Sequence, residues 1–223
     1  MNKTPPREKD QKTQAPLAHY QGIYKTLDPH EIARRCALPF DEKISAFSLR
    51  LVGKDYRAAF PGFELRDRTG AGVKSPYEKI LLLRYLCEGK YFDSTGKSLA
   101  YNQIPWGAVY YPNFEGRCIR RFARSFGNDI ALFRQIMEGT ESLRARALPQ
   151  GDAGYRFEFI NGLFMSLLLW AGDDEFPPGA QILFDDNFVF AFSAEDIAAV
   201  GEVVIERLTG FRNNFPARTK EKG

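Results

Sequence analysis

Seven arginines and no lysine lie between Arg117 and Arg146, against three acids, Asp129, Glu138 and Glu141. Arg117, Arg120, Arg121 and Arg124 follow the i, i+3, i+4, i+7 spacing of a single helical face. A guanidinium is planar and forked, so four on one face suit bidentate recognition of phosphate or carboxylate. Trp106, Tyr110, Tyr111 and Phe114 stand just before them, with rings able to stack on a planar ligand or to pack as core. Residues 102–112 read as an aromatic loop of the kind that rims a cleft or plugs a core edge.

The sign reverses later: Asp173 to Glu206 holds nine acids and no lysine or arginine. Asp173, Asp174 and Glu175 follow a strand ending at Trp170, and Asp185 follows the next strand. Converging carboxylates would bind Ca²⁺, Mg²⁺ or Mn²⁺, or carry out acid–base chemistry. The spacing is not that of an EF-hand loop, so a metal site rests on composition. If the two strands are antiparallel neighbours, the acidic groups fall at opposite ends of the sheet. The plain structural alternative is that the arginine face docks on the acidic segment within the fold.

Familiar catalytic sets are missing. No glycine-rich phosphate loop follows a strand, and no Gly-x-Ser-x-Gly elbow occurs. The two histidines, His19 and His30, sit near the N-terminus and in a helix's first turn. Cys36, Cys87 and Cys118 are too scattered for a zinc or iron–sulfur motif and odd in number for a disulfide scaffold.

The 223 residues suit one sizeable domain. Of the formal charge of +3, residues 1–16 carry +2 and residues 216–223 another +2, leaving the body between them at −1. That body argues against nucleic acid, which needs clustered cations on a folded surface. The longest apolar run, Leu163 to Ala171, falls well short of the ~20 residues that span a bilayer. No apolar leader opens the sequence, and a cytoplasmic location is expected.

Punctuation places the elements. Asp28-Pro29-His30-Glu31, Ser75-Pro76-Tyr77-Glu78 and Ser193-Ala194-Glu195-Asp196 read as helix starts. The second opens an apolar helix to about residue 88, closed by Gly89 and expected at the centre of the core. Further helices are expected over 114–126 and 129–138. Strands are expected at 44–52, 56–60 and 63–66, then at 155–160, 163–170 and 181–184. Asn161-Gly162 between two β-rich runs is a strong hairpin signal. The order gives an α+β fold: an antiparallel sheet of two hairpin or meander groups covered by about five helices. Residues 1–16 and 216–223 are expected to be disordered tails, with a single domain over 17–215.

The segments Leu169-Trp170-Ala171-Gly172-Asp173-Asp174-Glu175-Phe176-Pro177, Ile182-Leu183-Phe184-Asp185 and Ala194-Glu195-Asp196-Ile197-Ala198 resemble an uncharacterised prokaryotic family, domain of unknown function 3786. Glu78 to Leu86 and Leu27 to Ala33 are similar to it as well, so the resemblance covers about residues 20–210. It implies no catalytic residue and leaves any cofactor unassigned. Some relatives are expected to bear an iron–sulfur segment, for which this chain lacks the cysteines.

The sequence thus points to a non-catalytic domain binding a small anionic or planar ligand, or a protein partner. Trp106, Tyr110, Tyr111, Arg117, Arg120, Arg121, Arg124 and Trp170 would line the site. The alternative is a metal-dependent enzyme with Asp173, Asp174, Glu175 and Asp185 as ligands.

Overall fold

The computed structural model describes residues 8–215. Nine strands form one antiparallel sheet: β1 (Phe40–Asp41), β2 (Ala46–Leu51), β3 (Lys54–Ala59), β4 (Leu65–Asp67), β5 (Ser98–Ala100), β6 (Arg146–Leu148), β7 (Ala153–Ile160), β8 (Leu163–Trp170) and β9 (Gly179–Asp185). Their order is β4-β3-β2-β7-β8-β9-β5, with β1 beside β2 and β6 beside β7. The two expected strand groups, β2–β4 and β7–β9, join at a single register pair, Leu51 with Ile160. A Val52 N–H donated to the Phe159 carbonyl continues that seam. The fold is therefore α+β, as the element order predicts.

The Asn-Gly hairpin forms between β7 and β8, with Gly162 at φ 78°. Only glycine takes up that left-handed conformation without strain. Side chains alternate along these strands, giving the sheet two unlike faces. Tyr155, Phe157, Phe159, Met165, Leu167, Leu169 and Phe184 point to one face and are buried.

Helices cover that face: α3 (Pro76–Glu88), α5 (Arg120–Phe126), α6 (Ile130–Gly139), α7 (Phe188–Ala191) and α8 (Ala194–Phe211). Tyr85, Phe159, Phe188 and Phe192 form one run of ring contacts, and Phe122, Phe126, Phe133 and Tyr155 form another. Burying each such side chain contributes roughly 1.5–3 kcal/mol. In α3, Leu81, Leu82, Leu83, Tyr85 and Leu86 are all buried, which is the central core helix expected. Ser75 accepts the Glu78 N–H at its start, and in α8 Ser193 and Asp196 cap each other reciprocally.

Two expectations are corrected. First, residues 8–16, assigned to a tail, belong to helix α1 (Glu8–Tyr24), which lies against α3; α2 (Pro29–Cys36) follows it. Glu, Lys, Gln and Ala are good helix formers, and Leu17, Tyr20 and Tyr24 give α1 apolar contacts. Residues 1–7 and the tail 216–223 lie outside the described residues. Second, much of the aromatic loop is helical. A short turn at Tyr101–Gln103 leads into α4 (Gly107–Phe114), which runs through a π-helical turn at Glu115–Ile119 into α5. Stacking of Tyr101 on Phe114, at 4.0 Å between ring centres, overrides the breaker Pro112. Gly107 makes the turn possible, since a Cβ there would lie 1.9 Å from the Tyr101 carbonyl oxygen. The structure adds the short strands β1, β5 and β6 and helix α7, which are too brief to show a period in sequence.

Candidate functional site

The structure separates the residues singled out in sequence. Trp106 precedes α4 at φ 66° and is 78% exposed. Tyr110 is exposed beside it, while Tyr111 is half-buried against the core. Arg117 is tied by two hydrogen bonds to Glu202 on α8, so the arginine face does dock on the acidic segment at this point. Arg120 pairs with Glu115 on its own helix at 3.0 Å. Arg121 is half-buried and Arg124 exposed.

The acidic turn lies at the far end of this rod. Gly127, just after α5, sits so close to Pro178 that a Cβ would be 2.3 Å from its ring. At 1.5 Å per residue, Trp106 and Gly127 are about 30 Å apart along the helical axis. Trp106, the arginines and the acidic turn therefore line no common recess, which corrects the expected site. Trp170 ends β8, exposed beside the same turn.

The four carboxylates do not converge either. Trp170 pairs with Gly179, whereas Asp185 lies at the other end of β9, about 20 Å away at strand rise. Asp173 caps its own turn, accepting N–H bonds from Glu175 at 2.9 Å and Phe176 at 2.7 Å, which hold its pKa low. Asp185 is buried and paired with Arg156 at 2.6 Å. Among the described residues, no group of three or more His, Cys, Asp or Glu is placed to hold a metal. The thiols are unpaired, and burial pushes Cys36 and Cys87 up to about 11 and Cys118 up to about 12. They are thus poor nucleophiles.

A different constellation appears on the sheet face turned away from the helices. Alternation puts Ser48 and Arg50 of β2, Asp55 and Arg57 of β3, Arg66 of β4, Arg146 of β6, Arg156 and Glu158 of β7, and Phe164 of β8 on this face. A hollow of about 570 Å³ opens over β2 and β3, lined by Ser48, Arg50, Asp55, Arg57, Arg68 and Asn161 among others. A second, of about 290 Å³, is lined by Arg144, Arg146, Arg156, Glu158 and Phe164.

Arg50 links the two hollows. Its guanidinium lies 3.3 Å from Asp55 and 3.3 Å from Glu158, and it also donates to the Ser142 carbonyl. Arg156 lies over the Phe164 ring at 4.1 Å while bonding Asp185. Arg68 reaches Asp55 at 2.7 Å. No carboxylate among the described residues lies within ion-pair distance of Arg57, Arg144 or Arg146.

Two pairings on this face oppose like charges. Arg57 lies directly across from Arg66, and Arg146 directly across from Arg156. In each couple one arginine is already paired, Arg66 with Glu64 at 2.5 Å and Arg156 with Asp185 at 2.6 Å, which leaves Arg57 and Arg146 as the unpaired members among the described residues.

A third cleft, of about 720 Å³, opens around the β2–β3 turn, lined by Gly53, Lys54, Asp67, Ser142 and Arg207 among others. Its floor is rigid. Arg207 of α8 donates to both Glu78 oxygens, to the Tyr56 hydroxyl and to the Leu51 carbonyl. Burial alone would lower the Arg207 pKa; the bonds to Glu78 outweigh it and leave the pKa raised.

A family model described as Domain of unknown function (DUF3786) matches residues 28–207. The chain belongs to that family. The matched stretch starts at the α2 cap Asp28 and ends at Arg207, so it takes in every strand and both arginine hollows, while α1 precedes it. No curated protein and no solved structure matches the chain. No helix among the described residues is long and apolar enough to cross a membrane.

The arginines of the uncovered face come from five stretches of chain, so no linear motif announces them. A signal for part of the set does exist. Arg50 alternates with Leu49 and Leu51, and Arg156 with Tyr155 and Phe157, which marks charge on the side opposite the core.

Proposed function

We propose that the protein is a binding domain that holds an anionic ligand, a phosphate or carboxylate group, on the uncovered face of its sheet. The hollow over β2 and β3 is the site, with Arg57 as the principal contact and Arg50 and Arg68 beside it. The observation that carries this reading is that Arg57, Arg144 and Arg146 stand exposed beside hollows of this face with no carboxylate among the described residues within ion-pair distance. An anion beside such an unpaired guanidinium would gain charge-assisted hydrogen bonds. This moves the anion contact from the α5 arginines, of which Arg117 and Arg120 pair within the fold, to the face that carries a hollow of about 570 Å³. Unpaired cysteines suit a reducing compartment, and the cytoplasm is the location this reading adopts.

The test is a thermal-shift titration with inorganic phosphate and a dicarboxylate, set against chloride at matched ionic strength. Saturable stabilisation that disappears in Arg57→Ala supports the site. Equal response to all salts, or full retention in Arg57→Ala, contradicts it.

A further inference from the structure

The two hollows of the uncovered face are unequal in charge along its length. At one end Arg57 is free of any carboxylate among the described residues; at the other, so are Arg144 and Arg146. Between them the charge is balanced, since Arg50 is shared by Asp55 and Glu158, and Glu158 also accepts the Gly162 N–H at 2.8 Å. The register gives the separation. Arg57 is level with Ser48 on β2, and Arg146 is level with Arg156 on β7, on either side of the Leu51–Ile160 pair. That is about seven residue steps along the strands, or about 25 Å between the two positive poles.

We infer that the occupant of this face is an extended peptide segment of a partner protein, acidic at both ends and neutral at its centre, laid across both hollows. This rests on the anion-binding reading and names its ligand class. A single phosphate fills one hollow only. A strand of about eight residues spans about 25 Å. A nucleic acid strand carries charge at every step, and over the Arg50–Glu158 pair between the poles it would meet a carboxylate and no free cation. A peptide with separated acidic ends meets cations at both poles and leaves the balanced middle undisturbed.

The experiment uses the full chain and fluorescence anisotropy with three probes of about ten residues: a peptide with glutamates at both ends, the same composition with glutamates at the centre, and oligothymidylate. Arg57→Glu and Arg146→Glu each alter one exposed pole, and circular dichroism checks that both variants fold. The expected result is tightest binding of the end-charged peptide, weakened about tenfold or more by either substitution. Three results overturn the inference: equal binding of the two peptides, tighter binding of the oligonucleotide, or an effect of Arg57→Glu without one of Arg146→Glu. In the last case phosphate binding at the first hollow survives. If phosphate itself fails to bind, the anion-binding reading falls as well.

Discussion

Arg207 near the end of α8 and Glu78 in the first turn of α3 form a two-pronged ion pair, Nε to Oε1 at 2.8 Å and the second guanidinium nitrogen to Oε2 at 2.9 Å. Their side chains are only 13% and 11% exposed. The pair clamps two helices to the sheet beside the cleft at the β2–β3 turn. Glu78→Ala leaves a buried guanidinium without its counter-charge and should cost about 3–5 kcal/mol in urea unfolding. The double change Glu78→Leu with Arg207→Met should cost clearly less, since no charge is then stranded. A cost below about 1 kcal/mol for Glu78→Ala would mean that the pair is solvated in practice.

Asp67 predicts a pH effect. Its carboxylate accepts from Lys54 at 2.6 Å, from the Thr69 hydroxyl at 2.6 Å and from the Ala71 N–H at 2.9 Å, and these bonds, Lys54 first, hold its pKa well below the ordinary carboxylate range. A group whose pKa is depressed by folding stabilises the protein above its unfolded pKa, and that contribution fades as pH falls. Stability should therefore drop below about pH 4, and Asp67→Asn should flatten that drop. Melting temperatures at stepped acid pH measure it. An unchanged acid limb in Asp67→Asn would contradict the bonding described.

Gly53 and Gly70 make a controlled comparison at the sheet edge. Both have positive φ, 75° and 83°, but a Cβ at Gly53 would lie 2.7 Å from the Ser142 backbone, whereas Gly70 faces open space. Gly70→Ala should cost about 1 kcal/mol, for backbone strain alone. Gly53→Ala must also push Ser142 away, loosening the carbonyl that Arg50 uses, and should cost a further 1–3 kcal/mol or so. Equal losses in denaturant melts would show that Ser142 moves freely.

These elements differ in how far the sequence foretells them. Helix α3 and the β7–β8 hairpin are legible because cap, period and turn residues agree locally: Ser75-Pro76 and Gly89 bracket one, and Asn161-Gly162 joins the other. Helix α4 is not, because Pro112 and Gly107 read as loop punctuation while the force that makes a helix there is Tyr101 stacked on Phe114, a tertiary contact. The candidate site is least legible. The clustered arginines of α5 form the conspicuous pattern, yet Arg117 is committed to Glu202. Arg57 and Arg146 look ordinary until strand pairing brings them to one face.

Trp106 holds a left-handed backbone conformation at φ 66° with its ring 78% exposed. Strain of this kind costs a non-glycine residue roughly 1–2 kcal/mol. Trp106→Gly should therefore keep or raise the melting temperature, despite the added freedom of the unfolded chain. A loss of more than about 1 kcal/mol would show that the ring packs and is not merely presented to solvent.

The anion site proposed above lies on the uncovered sheet face and not on the α4–α5 rod. Amide chemical shifts of labelled protein during a phosphate titration test it most directly. Saturable shifts centred on Ser48, Arg50, Arg57 and Arg68, absent from a folded Arg57→Ala variant, are the expected result. Shifts centred on Trp106, Arg121 and Arg124, or no saturable shift anywhere, would contradict it.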